Sequence, residues 1–534
     1  MAGQRQRGPE AAPREYVNIL LPHGIDQLTQ RMTRGSPARR RTREEYTEAR
    51  AAAEQFEAET RGDVFPEYET DPNQIRAILG RLAGRSELRG ALGVADLDLA
   101  PEEIPYLSVS DLAAMGIAPP EGTPLVVPEI GLISVPAPVE VGVQAIQSAI
   151  QDTGARVEPA GIVYALPVLE AGLQPGLQVE EGEAEAVGYP ADLLFEAEEP
   201  GVEWLEAALE DGTAAETIPW GVARVNAPRA WARGYLGQGV RVAVVDTGIA
   251  PHPDLARPVA GATFVPGTTS PNDDHGHGTH VAGTIAALRN GRGLIGVAPR
   301  AQLLAAKVLD RLGSGRDTWV AAGIVWAANN GARIINLSLG SAAFSTAIQR
   351  ALVYARSRRV AICAAAGNSS TPTSCVAPPG YPGRDPLCIC IAATDQMNRK
   401  APFSQCGAEL DLAAPGVAVI STFPGSGYRS LNGTSMATPH IAGVAALVLS
   451  RPATAGLDPA RLQRHLERTA IGLGPAHQFG RGLVQADRAV TFPISGAELA
   501  AELDGLYGNG RTALPAEMRE PELAGARGAA RSRR

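Results

Sequence analysis

The chain has 534 residues, 45% of them hydrophobic and 20% charged, and a formal net charge of −9. That is enough apolar material for a large core spread over about two to four domains, and the acidic balance gives no electrostatic basis for binding nucleic acid. Lysine occurs only at Lys307 and Lys400, and the short arginine runs at 39–41 and 531–534 read as solvated tails. No segment reaches the ~18 apolar residues of a membrane span.

The first apolar stretch, 16–22, is too short and too far from the start for a secretory signal. The expectation is therefore a cytoplasmic protein, with neither membrane nor nucleic acid among its partners. A charged helical pattern follows at 41–59, and short amphipathic helices at 73–82 and 108–115. Residues 1–123 thus form a partly helical region of unreadable role. An extended apolar stretch at 124–136, a helix at 141–153 and a strand at 161–166 then give a β-α-β pattern. A short helix at 202–209 and a linker at 210–217 complete a smaller α+β segment, 124–213.

From residue 218 the text changes. Apolar strands at 240–245, 301–308, 333–337, 360–365 and 387–392 alternate with helices at 281–288, 318–329 and 345–356. This order predicts an α/β domain, 214–492, with a mostly parallel sheet covered by helices. The tail, 493–534, reads as a short helix at 496–506 followed by Pro/Gly/Arg-rich, mostly disordered sequence.

The five cysteines lie between 363 and 406. Cys363, Cys388 and Cys390 fall in strand patterns and read as buried thiols. Cys375 and Cys406 fall in loops, where a disulfide is open to them, although a cytoplasmic location argues against one.

Three segments carry chemistry. Asp246 ends an apolar strand and is followed by Gly248; the carboxyl ends of parallel strands are where sites form, though a lone carboxylate there also suits a turn or cap. The run Asp274-His275-Gly276-His277-Gly278-Thr279-His280 starts a helix, and its three histidines suit catalysis, metal binding or structure. Ser435, in Asn432-Gly433-Thr434-Ser435-Met436-Ala437-Thr438-Pro439, opens another helix, where it either caps the helix or gains from its positive end.

Together, in the order Asp246, His277, Ser435, these segments resemble the subtilisin family of serine peptidases over residues 215–490. The resemblance implies a subtilisin-like three-layer α/β domain preceded by a smaller α+β region. It implies a serine endopeptidase with Ser435 as nucleophile, His277 as base and Asp246 as its orienter, with Asn368 and the Ser435 N–H as oxyanion donors. It implies that extended polypeptide substrates pair with 312–315 (Gly313, Ser314, Gly315) and with Ser338, Leu339 and Gly340. The P1 pocket would be lined by Ser338–Gly340, Ala365, Ala366, Gly367 and Gly380, and would favour large apolar side chains. Asp317 stands where the family often has an aromatic at the S4 rim. A calcium loop is implied at 287–294, with ligands from Asp254, Leu288, Asn290, Arg292, Leu294 and Glu216. Residues 124–213 suit a propeptide that inhibits the peptidase as a zymogen, with self-cleavage expected in 210–217. Two other readings of the scaffold are a transpeptidase or macrocyclase, and a regulatory binding protein working through its N-terminal region.

Overall fold

The structure, a computed structural model, describes residues 14–22, 25–26, 29, 42–60, 70–85, 106–109, 111, 123–138, 142–165, 206, 209 and 215–492. The basic runs at 39–41 and 531–534, the tail helix at 496–506 and most of 202–214 lie outside these residues. Among the described residues, no helix is long and apolar enough to cross a membrane.

Seven strands form a wholly parallel sheet in the order β15-β14-β13-β11-β7-β9-β8. They are β7 (Arg241–Asp246), β8 (Ala260–Thr263), β9 (Gln302–Lys307), β11 (Ile334–Leu337), β13 (Ala361–Ala365), β14 (Ile389–Thr394) and β15 (Leu412–Pro415). Runs such as Val242, Val244 and Val245 are apolar on both faces because helices cover both sides. His277–Ala286 and Thr434–Leu449 pack with one core, and Asp317–Asn329 and Thr346–Ser357 with the other. The three-layer α/β expectation holds, and the predicted helices and strands of this part are found within a few residues of their expected ends.

A second, five-stranded sheet has the order β2-β3-β4-β1-β5. It uses β1 (Arg14–Leu20), β2 (Leu107–Ser108), β3 (Leu125–Val127), β4 (Leu132–Pro138) and β5 (Arg156–Pro159). β1 runs antiparallel to both β4 and β5 and so lies between them. The sheet therefore takes strands from both sides of residue 123. Its apolar face, with Val17, Ile19, Ile133 and Val135, packs on helices Pro72–Ala83 and Gly142–Ala149. Of the helix expected over 108–115, Ser108 instead ends β2, which pairs with Leu125–Val126, while Val109 and Asp111 are helical; of 112–115 nothing is described.

Cys375 and Cys406 form a disulfide with Cα atoms 5.7 Å apart, and Cys363, Cys388 and Cys390 are buried and free.

Candidate active site

Asp246 is the last residue of β7 and is fully buried. Its Oδ1 accepts the Thr247 N–H at 2.7 Å and lies 2.8 Å from His277 Nδ1. His277 opens its helix behind Gly276, whose φ is 111°, and a Cβ on Gly276 would collide with the Phe423 ring. Asp273 ties this turn down: its Oδ1 accepts the N–H groups of His275 and Gly276, and its Oδ2 those of Thr279 N–H and Oγ1–H. Burial works against the His277 imidazolium, but the charge and hydrogen bond of Asp246 outweigh it and raise the pKa above the usual 6.5. His277 Nε2 has no hydrogen-bond partner among the described residues. His280 points elsewhere, to the carbonyls of Val419 and Arg429, and burial lowers its pKa to about 3. The three histidines therefore do not converge on one point.

The helix of His277 packs against the helix that carries Ser435. Gly433, at φ 154°, precedes Thr434–Leu449, and Ser435 sits in the first turn, fully buried. Its Oγ donates to the Ser338 carbonyl at 2.9 Å, while Ser338 Oγ donates to the Ser435 carbonyl at 2.8 Å. Asn368 Oδ1 accepts from Thr434 N at 2.9 Å and from Thr434 Oγ1 at 2.8 Å. Those two bonds fix the amide's acceptor end, so Nδ2 is its donor end. Thr434 Oγ1 also accepts the Gly367 N–H at 3.1 Å. The roles of Thr434 and Asp273 were missed in the sequence; each is a short polar residue beside a helix start, a common cap pattern.

Ser338 follows β11, and Ala365 ends β13, the neighbouring strand. Gly380 donates to the Ala366 carbonyl at 2.8 Å, and the Cys375–Cys406 disulfide closes the chain segment that contains it. A Cβ on Gly380 would meet only Ser341 O at 3.6 Å and Ala366 O at 3.7 Å, which is ordinary contact.

Two short segments, β10 (Ser314–Arg316) and β12 (Leu339–Gly340), flank β6 (Ile162–Ala165) and pair with it antiparallel. Tyr164 pairs with both Ser314 and Gly340, Val163 with Gly315, and the Ala165 N–H donates to Gly313 O at 2.7 Å. The strand expected at 161–166 is therefore present, but its place in the cleft beside Ser338 was not foreseen. The 215–217 segment is elsewhere: Ala215 and Thr217 bridge to Arg292 and Leu294. Of 210–214, the rest of the segment expected to be cut, nothing is described. Asp317, expected at the cleft rim, is buried; it accepts from Asn18 Nδ2 at 3.1 Å and from Ser345 Oγ at 2.8 Å.

The residues expected around calcium are also brought together. Asp254 is fully buried and makes no ion pair among the described residues. Its Oδ1 is 3.2 Å from Asn290 Nδ2; its Oδ2 accepts the Leu294 N–H at 2.6 Å and the Tyr428 hydroxyl at 2.8 Å. Glu216 Oε1 accepts the N–H groups of Asn290 and Gly291, both at 2.6 Å. The Arg292 guanidinium reaches outward to the Pro253 carbonyl at 3.3 Å.

The model of the subtilase family matches residues 237–510. Over 291 residues the chain is 51% identical to M-protease of Shouchella clausii (strain KSM-K16), covering 54% of this chain and 74% of that protein. It is 51% identical over 275 residues to Subtilisin Savinase of Lederbergia lenta, covering 52% of this chain and 99% of that protein. It is 46% identical over 298 residues to Subtilisin E of Bacillus subtilis (strain 168), covering 54% of this chain and 76% of that protein. These likenesses correct the expected cytoplasmic location. Relatives named as subtilisins and alkaline proteases point to an extracellular protein, and the Cys375–Cys406 disulfide suits an oxidising compartment.

Proposed function

We propose, from the premise that this chain belongs to the subtilase family and is a subtilisin-type serine endopeptidase, that Asp246, His277 and Ser435 are its catalytic triad and that its N-terminal region holds it latent. The observation that carries the triad is the 2.8 Å bond from His277 Nδ1 to the strand-end carboxylate of Asp246, with Nε2 left unpartnered. Asp246 holds the tautomer in which Nε2 accepts a proton, and stabilises the imidazolium.

When substrate enters, the Ser435 hydroxyl leaves the Ser338 carbonyl and passes its proton to His277 Nε2 as Oγ attacks the scissile carbon. The oxyanion takes hydrogen bonds from the Ser435 N–H and Asn368 Nδ2. His277 returns the proton to the departing amine, and water repeats the sequence on the acyl-enzyme. Main-chain pairing with Gly313–Gly315 and Ser338–Gly340 fixes the register, so side-chain choice falls to the pockets. Gly380 places no side chain where a Cβ would touch the Ser341 and Ala366 carbonyls, which supports a preference for large apolar P1 side chains.

Latency rests on β6, which lies between the two segments that would pair with substrate. The sheet behind it is held by Arg350, whose guanidinium binds both oxygens of Asp26 and the carbonyls of Leu21, Ile130 and Gly131. On this reading the inhibitory unit spans residues 14–165, and the first cut follows β6 rather than falling in 210–217.

The donor set at 254 and 288–294 fits calcium. A buried carboxylate without a cation partner is costly, and Asp254, Asn290 and the carbonyls of Leu288, Arg292 and Leu294 are hard oxygen ligands. Glu216 has its second oxygen left for the ion. Bound calcium would fix this loop and, through Thr217, the start of the peptidase part.

Peptide hydrolysis by the chain against its Ser435→Ala variant tests the proposal. Hydrolysis that survives in the variant rejects it.

A further inference from the structure

The helix Arg43–Thr60 meets the peptidase far from the cleft. A capping box starts it: the Glu45 N–H donates to Thr42 Oγ1 at 3.2 Å, and the Thr42 N–H to Glu45 Oε2 at 2.9 Å. Tyr46, Ala49 and Ala53 lie on one face, and all three are buried. Arg50, one turn beyond Tyr46, pairs with Asp411 Oδ1 at 3.0 Å and with Glu467 Oε1 at 2.7 Å. The Tyr46 hydroxyl donates to Asp411 Oδ2 at 3.2 Å, and Glu54 pairs with Arg464.

Asp411 immediately precedes β15 and accepts the Cys390 N–H near the start of β14. It therefore marks the amino ends of these strands, whereas Asp246 marks the carboxyl end of β7. In a parallel sheet those are opposite ends. One N-terminal region grips the peptidase at both, with β6 in the cleft and the helix at the far end.

Linked contacts reinforce each other, because once one is made the other forms within the same assembly; the gain is about 10²–10⁴-fold. A fragment held by the cleft alone competes directly with substrate. A fragment held also at Asp411 and Glu467 is returned to the cleft each time its strand slips out.

We infer that the Arg43–Thr60 helix is a retention clip: when β6 is displaced or the following segment is cut, Arg50 and Tyr46 keep the N-terminal region bound, and activity appears only when the clip lets go. The inference rests on the reading of residues 14–165 as inhibitory.

The test uses the full chain with the recognition sequence of an unrelated site-specific protease inserted between residues 190 and 191. In the Ser435→Ala background, size-exclusion chromatography after cutting reads whether the fragment stays with the peptidase. In the active background, hydrolysis of a fluorogenic peptide reads the lag before activity. The parent is expected to keep its fragment and to show a long lag. Arg50→Ala and, independently, Ala49→Trp should release the fragment and shorten the lag by about tenfold or more. Where either fails to accumulate, Glu54→Arg, facing Arg464, carries the same reading. Equal retention and equal lag in these variants overturn the clip. Val163→Asp, in the cleft strand, separates the two readings. If the clip alone is wrong, Val163→Asp shortens the lag and the helix variants do not. If the inhibitory reading is wrong, the cut parent is active at once while its fragment still co-elutes.

Discussion

The Ser435 hydroxyl donates its hydrogen to the main-chain carbonyl of Ser338, 2.9 Å away, and Ser338 Oγ donates back to the Ser435 carbonyl. The nucleophile is therefore held on Ser338, the residue that precedes β12, next to the strand that covers the cleft, with its proton directed away from His277 Nε2. Displacing β6 should free it. Val163 is 1% exposed, and a carboxylate there would be buried without a partner. Val163→Asp is expected to raise the rate of fluorophosphonate labelling of the uncut chain by about tenfold or more, as fits one to two kcal/mol taken from strand docking. An unchanged rate would mean that β6 does not control access.

Asn368 and Thr434 are expected to lose turnover unequally. Asn368→Ala should lower kcat by about 10²–10³-fold with KM little changed, the scale set by subtilisin-type enzymes themselves. Thr434→Val keeps the Thr434 N–H bond to Asn368 Oδ1 but removes the hydroxyl bonds to Asn368 and Gly367. Thr434 acts through Asn368, so its loss should be smaller, about tenfold in kcat, and absent in the Asn368→Ala background. Steady-state kinetics on the two single variants and the double variant check this; full additivity would show that Thr434 acts independently of Asn368.

Activity requires neutral His277, and its pKa is raised above 6.5 by Asp246, which outweighs burial. As pH rises through that shifted value the imidazole loses its proton, so kcat/KM should climb with a midpoint above 6.5. Asp246→Asn removes the charge; the midpoint should fall and kcat should drop by about 10⁴-fold. A pH–rate profile whose midpoint does not move would detach Asp246 from His277.

If calcium binds Asp254 and Asn290, adding a chelator should lower Tm by several degrees, since a ligand at 100 times its Kd contributes about 2.7 kcal/mol. Asp254→Ala should start from the lower Tm and no longer respond. An equal chelator effect in both proteins would place the ion elsewhere.

Much of the peptidase half was legible because its signals are local. The valines of β7 with a terminal Asp246, the glycines around His277 and the small residues after Ser435 each sit within one element. The N-terminal region is legible only in pieces. β1 enters between β4 and β5 from more than a hundred residues upstream, and nothing in Val17 or Ile19 announces that partner. The Arg43–Thr60 helix was visible as a charged pattern, but its fit to Asp411 and Glu467 depends on a contact far along the chain. The strand at 162–165 was visible too; its place beside Gly313 and Gly340 depends on main-chain register, which leaves little trace in side-chain identity.

The role of Ser435 as nucleophile is tested by fluorophosphonate labelling of the chain after its N-terminal region is removed, followed by peptide mass mapping. One label is expected, on Ser435, and it is lost in His277→Ala. A label on another residue, or equal labelling of the His277→Ala protein, would contradict that role.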